Sequence, residues 1–279
     1  MRFFILFTVI AVSLQIGEAC GGRSKRQSVP VIPISTPENP IFDISPALNI
    51  IESAQRSFLS ALESLATVGY NATEGIVNQL RNLRSSFSKT LTSHLNQAIE
   101  NMKMVINGTR DAVENAIQNS ENRLLSLEKQ AQKIAACASA NISDTRNAIR
   151  DAKDIGYNCL ANKLNEGIEQ FNGLVENLTK QGTTLFSIPD QINTCNRRQS
   201  GILDVVGAIN RTNCLANIPV KVNSDAAQFF STITGSVRDA ALYANSIPTA
   251  ASQCAINAVG TIDRFVRNMV DYVANCSRN

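Results

Sequence analysis

From Leu83 onward the apolar residues Phe87, Leu91, Leu95, Ala98, Met102 and Val105 recur three or four positions apart, the spacing that lines up side chains on one face of an α-helix. Leu124, Leu127, Ala131, Ile134 and Ala138 form a second stripe of the same kind. No proline interrupts the chain between Pro46 and Pro189, and this interval is rich in Ala, Leu, Asn, Glu, Ser and Lys. Helix is its only economical reading. One unbroken helix over 45–138 would measure about 140 Å, too long for a compact domain of this size, so breaks are expected. Gly69 ahead of Asn71 and Thr73, the turn dipeptide Asn107-Gly108 followed by Thr109, and the neighbourhood of Asn141 with Ser143 as a cap supply them. With loops at Pro189, Pro219 and Pro248, the pattern predicts helices over 45–68, 73–106, 109–139, 143–181, 190–215, 224–246 and 249–276. The expected fold class is all-α: a multi-helix, coiled-coil-like bundle of long amphipathic helices with disulfides stapling its C-terminal half.

The N-terminus follows a different logic. Arg2 precedes an apolar run from Phe3 to Leu14, and Gly17-Glu18-Ala19 puts small residues at −3 and −1 of a cleavage site before Cys20. That is the form of a signal peptide over 1–19 cut after Ala19, and the run is shorter than the about 20 residues a membrane span requires. A bacterial lipoprotein site is the competing reading of Cys20, but Gly17 stands where a Leu-like residue is wanted. Arg23-Ser24-Lys25-Arg26 has the form read by furin-type convertases, which would make 20–26 a short propeptide ending at Arg26; the alternative is a solvated basic patch. Pro30, Pro33, Pro37 and Pro40 then mark 27–44 as an extended linker. The helical remainder divides into 45–135, without cysteine, and a cysteine-containing domain over 136–279.

Charge and cysteine usage narrow the function. The chain has 26 Lys+Arg and 23 Asp+Glu, of which Arg2, Arg23, Lys25, Arg26 and Glu18 precede residue 27, leaving 22 of each. A neutral mature chain offers no field for nucleic acid. Six cysteines follow the leader, Cys137, Cys159, Cys195, Cys214, Cys254 and Cys276, spaced 22, 36, 19, 40 and 22 apart. An even number at such wide spacing indicates disulfides in an oxidising compartment rather than a metal site. Sequons at Asn71, Asn107, Asn141, Asn177, Asn210 and Asn275 are candidate glycosylation sites in a secreted glycoprotein, although an Asn-rich chain yields about four by chance. Their intervals of 36, 34, 36 and 33 up to Asn210 are not matched by similar flanking residues, so no repeat is assigned.

Recognisable catalytic chemistry is nearly absent. His94 is the only histidine, lies beside Ser93 and Leu95 on an amphipathic stretch, and has no nucleophile motif near it. There is no phosphate-cradling glycine motif, and the acidic residues are spread along polar helix faces. No catalytic residue, cofactor or metal is expected. Between Glu74 and Glu100 there is no acid, while Arg81, Arg84 and Lys89 flank Leu80, Leu83, Phe87, Leu91 and Leu95. This basic amphipathic helix suits a lipid surface or, more simply, the solvated face of a bundle helix.

Two segments place an aromatic ahead of a helical cysteine: Tyr157-Asn158-Cys159-Leu160 and Asp271-Tyr272-Val273-Ala274-Asn275-Cys276. In these, residues 130–276 resemble the secreted insect domain named after TsetseEP. The resemblance implies a secreted helical protein of gut or body fluid without assigned catalytic residues.

The expectation is therefore a secreted, extracellular, non-enzymatic helical protein with a structural or protein-interaction role and no transmembrane segment. Its partner would be an extracellular protein. The alternative is a carrier of lipid or another apolar ligand, or a protein that lies on lipid surfaces. For the disulfides, positions equidistant from a hairpin turn at Pro189 pair Cys159 with Cys214, Cys195 pairs with Cys254 either as positions level about Pro219 to Asp225 or as positions five residues into two parallel helices, and Cys137 is left with Cys276. N-terminal sequencing of material collected from the medium should start at Cys20 if only the signal is cut, or at Gln27 if the convertase site is cut as well. Retention of Met1 would contradict both.

Overall fold

The structure, a computed structural model, describes residues 40–67, 73–131, 139–197 and 205–276. The leader with Ala19 and Arg26, nearly all of the Pro-rich linker, Asn71 and Cys137 lie outside the described residues. Five helices make up the rest: α1 (Ile44–Thr67), α2 (Thr73–Ala131), α3 (Ser139–Leu185), α4 (Ile188–Arg197) and α5 (Val205–Cys276). No strand occurs among the described residues, and all five helices fall within one compact unit.

Helix α1 starts where its first residues dictate. The Asp43 carboxylate accepts the Ser45 amide at 3.0 Å, the bond of an N-cap, and Pro46 sits in the first turn, where its missing amide costs nothing. The α1–α2 break and the start of α2 at Thr73 agree with the sequence expectation.

Three expected breaks are absent. Helix α2 runs through Asn107-Gly108 for 59 residues, about 88 Å. Thr109, expected as a new cap, instead donates its hydroxyl back to the Val105 carbonyl at 2.8 Å and is buried at 3% exposure within the core stripe. Helix α5 runs through Pro219 and Pro248 for 72 residues, about 108 Å. Each proline forfeits a helical hydrogen bond and crowds the carbonyl four residues back, a cost of about 3 kcal/mol. Burial on both sides offsets it: Leu215, Ile218 and Val222 flank the first proline, and Ala244, Ile247 and Ala251 the second, all in the core.

The reason for these lengths is a continuous apolar stripe. On α5 buried positions follow steps of three, four and four from Leu215 through Ile218, Val222, Ala226, Phe229, Ile233 and Val237 to Val266. On α2 the same steps run from Phe87 to Leu124. Such an 11-residue repeat keeps an almost straight helix facing its neighbours, with a slight right-handed supercoil, where a seven-residue repeat would impose a left-handed one.

Packing is antiparallel between α3 and α5 and between α2 and α3. Along the α3–α5 seam Gly156 faces Ala258, Gly167 faces Tyr243 and Gly182 faces Phe229, so numbers rise on one helix as they fall on the other. Contacts of Gly167 with Met102 and of Tyr157 with Glu114 set α2 antiparallel to α3. Phe87 meets Phe229 and Phe230, and Arg123 meets Asp263, which makes α2 parallel to α5. Helix α1 lies against α2 and α5.

The interior divides into two stacked clusters. The larger, built from α1, α2, α3, α4 and α5, centres on edge-to-face rings: Phe58 on Phe186 and Phe230, Phe87 on Phe229 and Phe230, and Phe186 on Phe229. The smaller, among the described residues, is drawn from α2, α3 and α5, from Val113, Ile149 and Ala255 to Val273. A four-helix section, extended by α4, thus continues as a three-helix one.

Glycines on α3 decide how closely α5 approaches. A Cβ built on Gly156 would stand 2.7 Å from the Ala258 Cβ, whereas one on Gly173 meets nothing within 4 Å. Gly173→Ala should therefore raise stability by about 0.5–1 kcal/mol through helix propensity. Gly156→Ala should lower it despite the same propensity gain. Thermal unfolding of the two variants checks this, and equal stabilisation by both would refute the close approach.

Candidate functional site

The most heavily built part of the surface is the seam between α3 and α5. Cys159 and Cys254 are bonded across it, with Cα atoms 5.8 Å apart. Cys195 on α4 is bonded to Cys214 on α5, also at 5.8 Å. Both bonds contradict the expected pairs Cys159–Cys214 and Cys195–Cys254. The chain does not reverse at Pro189: Ile188 and Pro189 open α4, with the Ser187 carbonyl accepting the Asp190 and Gln191 amides, and the reversal falls between Arg197 and Val205. Cys214 therefore stands 40 residues, about 60 Å, along α5 from the level of Cys159. Cys276 is also disulfide-bonded, and Cys137, expected as its partner, lies outside the described residues.

Polar groups fix the seam on either side of the Cys159 bond. The Tyr243 hydroxyl bridges to α3, at 2.9 Å from the Lys163 carbonyl and 2.8 Å from the Glu166 carboxylate. Burial, then the bond to Glu166, pushes the Tyr243 phenol well above its ordinary value. On the α2 side Tyr157 donates to Glu114, which also takes Lys153 at 2.8 Å, while the Arg110 guanidinium covers the Tyr157 ring at 4.4 Å. Lys153, first, and Tyr157 together hold the Glu114 carboxyl below the usual carboxylate range. Burial, then Glu114, raises the Tyr157 phenol.

A second constellation receives the chain as it enters α1. The Asn245 side chain accepts the Phe42 amide at 3.0 Å and donates to the Phe42 carbonyl at 3.1 Å. Asn101 on α2 donates to the Ile41 carbonyl at 2.8 Å. With Phe42 buried edge-on against Phe171, these amides seat the start of α1 between α2 and α5.

A shallow cleft of about 270 Å³ opens at the far end of the seam, lined by Asn141, Asp144, Thr145 and Ala148 on α3 and by Phe265, Asn268, Met269 and Tyr272 on α5. Asn141 is half-buried here, whereas Asn107, Asn177, Asn210 and Asn275 are exposed on helix surfaces. The structure does not bring these five described sequons into one site. His94 is half-buried on α2, and Arg81, Arg84 and Lys89 are exposed on the same helix. Among the described residues no group of three or more His, Cys, Asp or Glu is placed to hold a metal, and no described helix is long and apolar enough to cross a membrane. The chain matches no family model, no curated protein and no solved structure.

Sequence reasoning missed the Tyr157 cluster, the Asn101 and Asn245 amides, and the cleft. Arg110 with Glu114, and Lys153 with Tyr157, are visible four apart, but nothing in the pattern says that the two pairs face one another across α2 and α3.

Glu114 supplies stability that is present above the ordinary carboxylate value of about 4.3 and is lost as pH falls through its own depressed value. Tyr157→Phe removes one of its two main partners and should cost about 0.5–1.5 kcal/mol at neutral pH. That deficit should shrink as Glu114 protonates. Urea unfolding at pH 7 and at successively lower pH through the acid limb of the stability profile tests it: a deficit that stays constant over that whole limb would separate Tyr157 from the carboxylate.

Proposed function

We propose that this is a secreted, non-enzymatic helical protein that acts structurally or by protein–protein contact in extracellular fluid or gut. The packed aromatic core among the described residues is the observation that carries the reading. Five phenylalanines meet edge-to-face at the centre of the four-helix section, and the buried stripes continue from there into the three-helix section. A carrier of apolar ligand needs a cavity of roughly 300–1,000 Å³ lined by such groups. The described cleft is smaller, and it is lined by two asparagines, an aspartate and a threonine as well as apolar side chains.

Two disulfides that join α3 and α4 to α5 support an oxidising, extracellular setting. Placement in gut or body fluid rests on the TsetseEP-like Tyr157–Leu160 and Asp271–Cys276 segments alone. The exposed apolar residues Met104, Ile155, Leu242 and Ile256 are distributed over three helices, so contact would run along helix faces rather than through a single patch.

Native mass spectrometry of the protein from culture medium, followed by solvent extraction, discriminates the readings. A bare polypeptide mass, apart from glycans, is expected. A lipid retained at stoichiometric amount would overturn the reading in favour of the carrier. Disruption of anionic phospholipid vesicles would favour the lipid-surface protein.

A further inference from the structure

We propose that Asn141 carries an N-linked glycan whose first sugar sits in the cleft between α3 and α5, against Phe265 and Tyr272. The proposal rests on the secretory reading above and adds to it a seat for one particular modification. Asn141-Ile142-Ser143 is a complete sequon, and Asn141 differs from the other described sequon asparagines in its surroundings. Asn107, Asn177, Asn210 and Asn275 are exposed, whereas Asn141 is half-buried and lines the cleft.

The antiparallel register explains why a cleft exists there. Opposite Phe265, Met269 and Tyr272, helix α3 offers Ala148, Thr145, Asp144 and Asn141, side chains too short or too polar to fill the space between two helices. The gap of about 270 Å³ falls just under the about 300 Å³ at which pockets for drug-sized ligands begin, which is room for one sugar ring rather than a longer chain. Its lining suits that ring. Phe265, with the Arg264 guanidinium 5.8 Å from its ring centre, and the 40%-exposed Tyr272 line the cleft with aromatic rings of the kind on which a pyranose C–H face packs, and Asp144, Thr145 and Asn268 offer hydrogen-bond partners to its hydroxyl and acetamido groups.

The covalent step belongs to the secretory pathway and precedes folding of α3. The Asn141 amide nitrogen attacks C1 of an oligosaccharide carried on a lipid diphosphate. A C–N bond forms, the C1–O bond to phosphate breaks, the amide loses one proton and the lipid diphosphate leaves. Once α3 pairs with α5, the attached sugar closes over the cleft.

The test is glycopeptide mapping of protein from a secreting eukaryotic host, combined with timed release by a peptide N-glycosidase from the native, unreduced protein. Asn141 should be occupied, and its glycan should leave at least about tenfold more slowly than that at exposed Asn107. Tyr272→Ser, at an exposed position, and Phe265→Ala should each bring Asn141 release up to the Asn107 rate while far-UV circular dichroism stays helical. If either variant loses helicity, the wild-type comparison of Asn141 with Asn107 decides.

Occupancy at Asn107 without occupancy at Asn141 overturns this inference and leaves the secretory reading intact. Equal release rates in the wild type, or slow release that neither variant relieves, also overturns it. A secreted protein bare at every sequon removes the inference alone, whereas a protein that never enters the medium removes both.

Discussion

The antiparallel pairing of α3 with α5 is the constraint on which the rest of the molecule depends. It extends from the Asn141–Tyr272 end, past the Cys159–Cys254 bond, to the contact of Gly182 with Phe229. Helix α3 keeps glycine where the two come closest, Gly156 beside Ala258 and Gly167 beside Tyr243. Close approach allows the Tyr243 hydroxyl to reach the Lys163 carbonyl and the two cysteines to bond. The other helices take their places from this pair: α2 fills its groove along most of its length, and α1 covers α2 and α5 where the phenylalanines lie.

A helix of 72 residues that contains two prolines is stable here for tertiary reasons. Its stripe packs on α2 and α3 in both sections, and on α1 and α4 as well in the four-helix section. Intrinsic propensity alone would end it at Pro219 and Pro248. Burial of a side chain every three or four residues contributes about 1.5–3 kcal/mol for each large apolar group, enough to outweigh about 3 kcal/mol at each proline.

This competition explains what the sequence revealed and what it concealed. The all-α class, the bounds of α1 and the start of α2 were legible because apolar periodicity, the Asp43-Ser45-Pro46 run and Thr73 agree locally. The continuity of α2 past Gly108 and of α5 past its prolines was not, because local signals for a break are outvoted by packing that only the assembled bundle supplies. One clue was present. Steps of three, four and four continue unchanged across Gly108, Pro219 and Pro248, and a stripe that keeps phase through a breaker indicates an unbroken helix. The Asn141 cleft and the Glu114–Tyr157 cluster depend on register between helices far apart in sequence, which periodicity within one helix does not encode.

Two of the three expected disulfides failed for the same reason, and their corrected form changes how the fold is held. A bond between Cys195 and Cys214 closes a span of only 19 residues at the reversal before α5, while Cys159–Cys254 closes 95. On the chain-entropy account these are worth about 3 and about 4.7 kcal/mol, so the distant bond contributes more. Cys159 also sits at the boundary between the two clusters: it packs against the larger, while within one turn Gly156 faces Ala258 of the smaller and Tyr157 packs against that cluster. A covalent tie at that level resists separation of α3 from α5 in both sections at once. Helix α1 has no cysteine, and beyond its apolar face it is fixed at its start by the amides of Asn101 and Asn245. Resistance to opening is therefore greatest along the α3–α5 seam and least at α1, so fluctuations that expose the phenylalanine cluster should begin with α1.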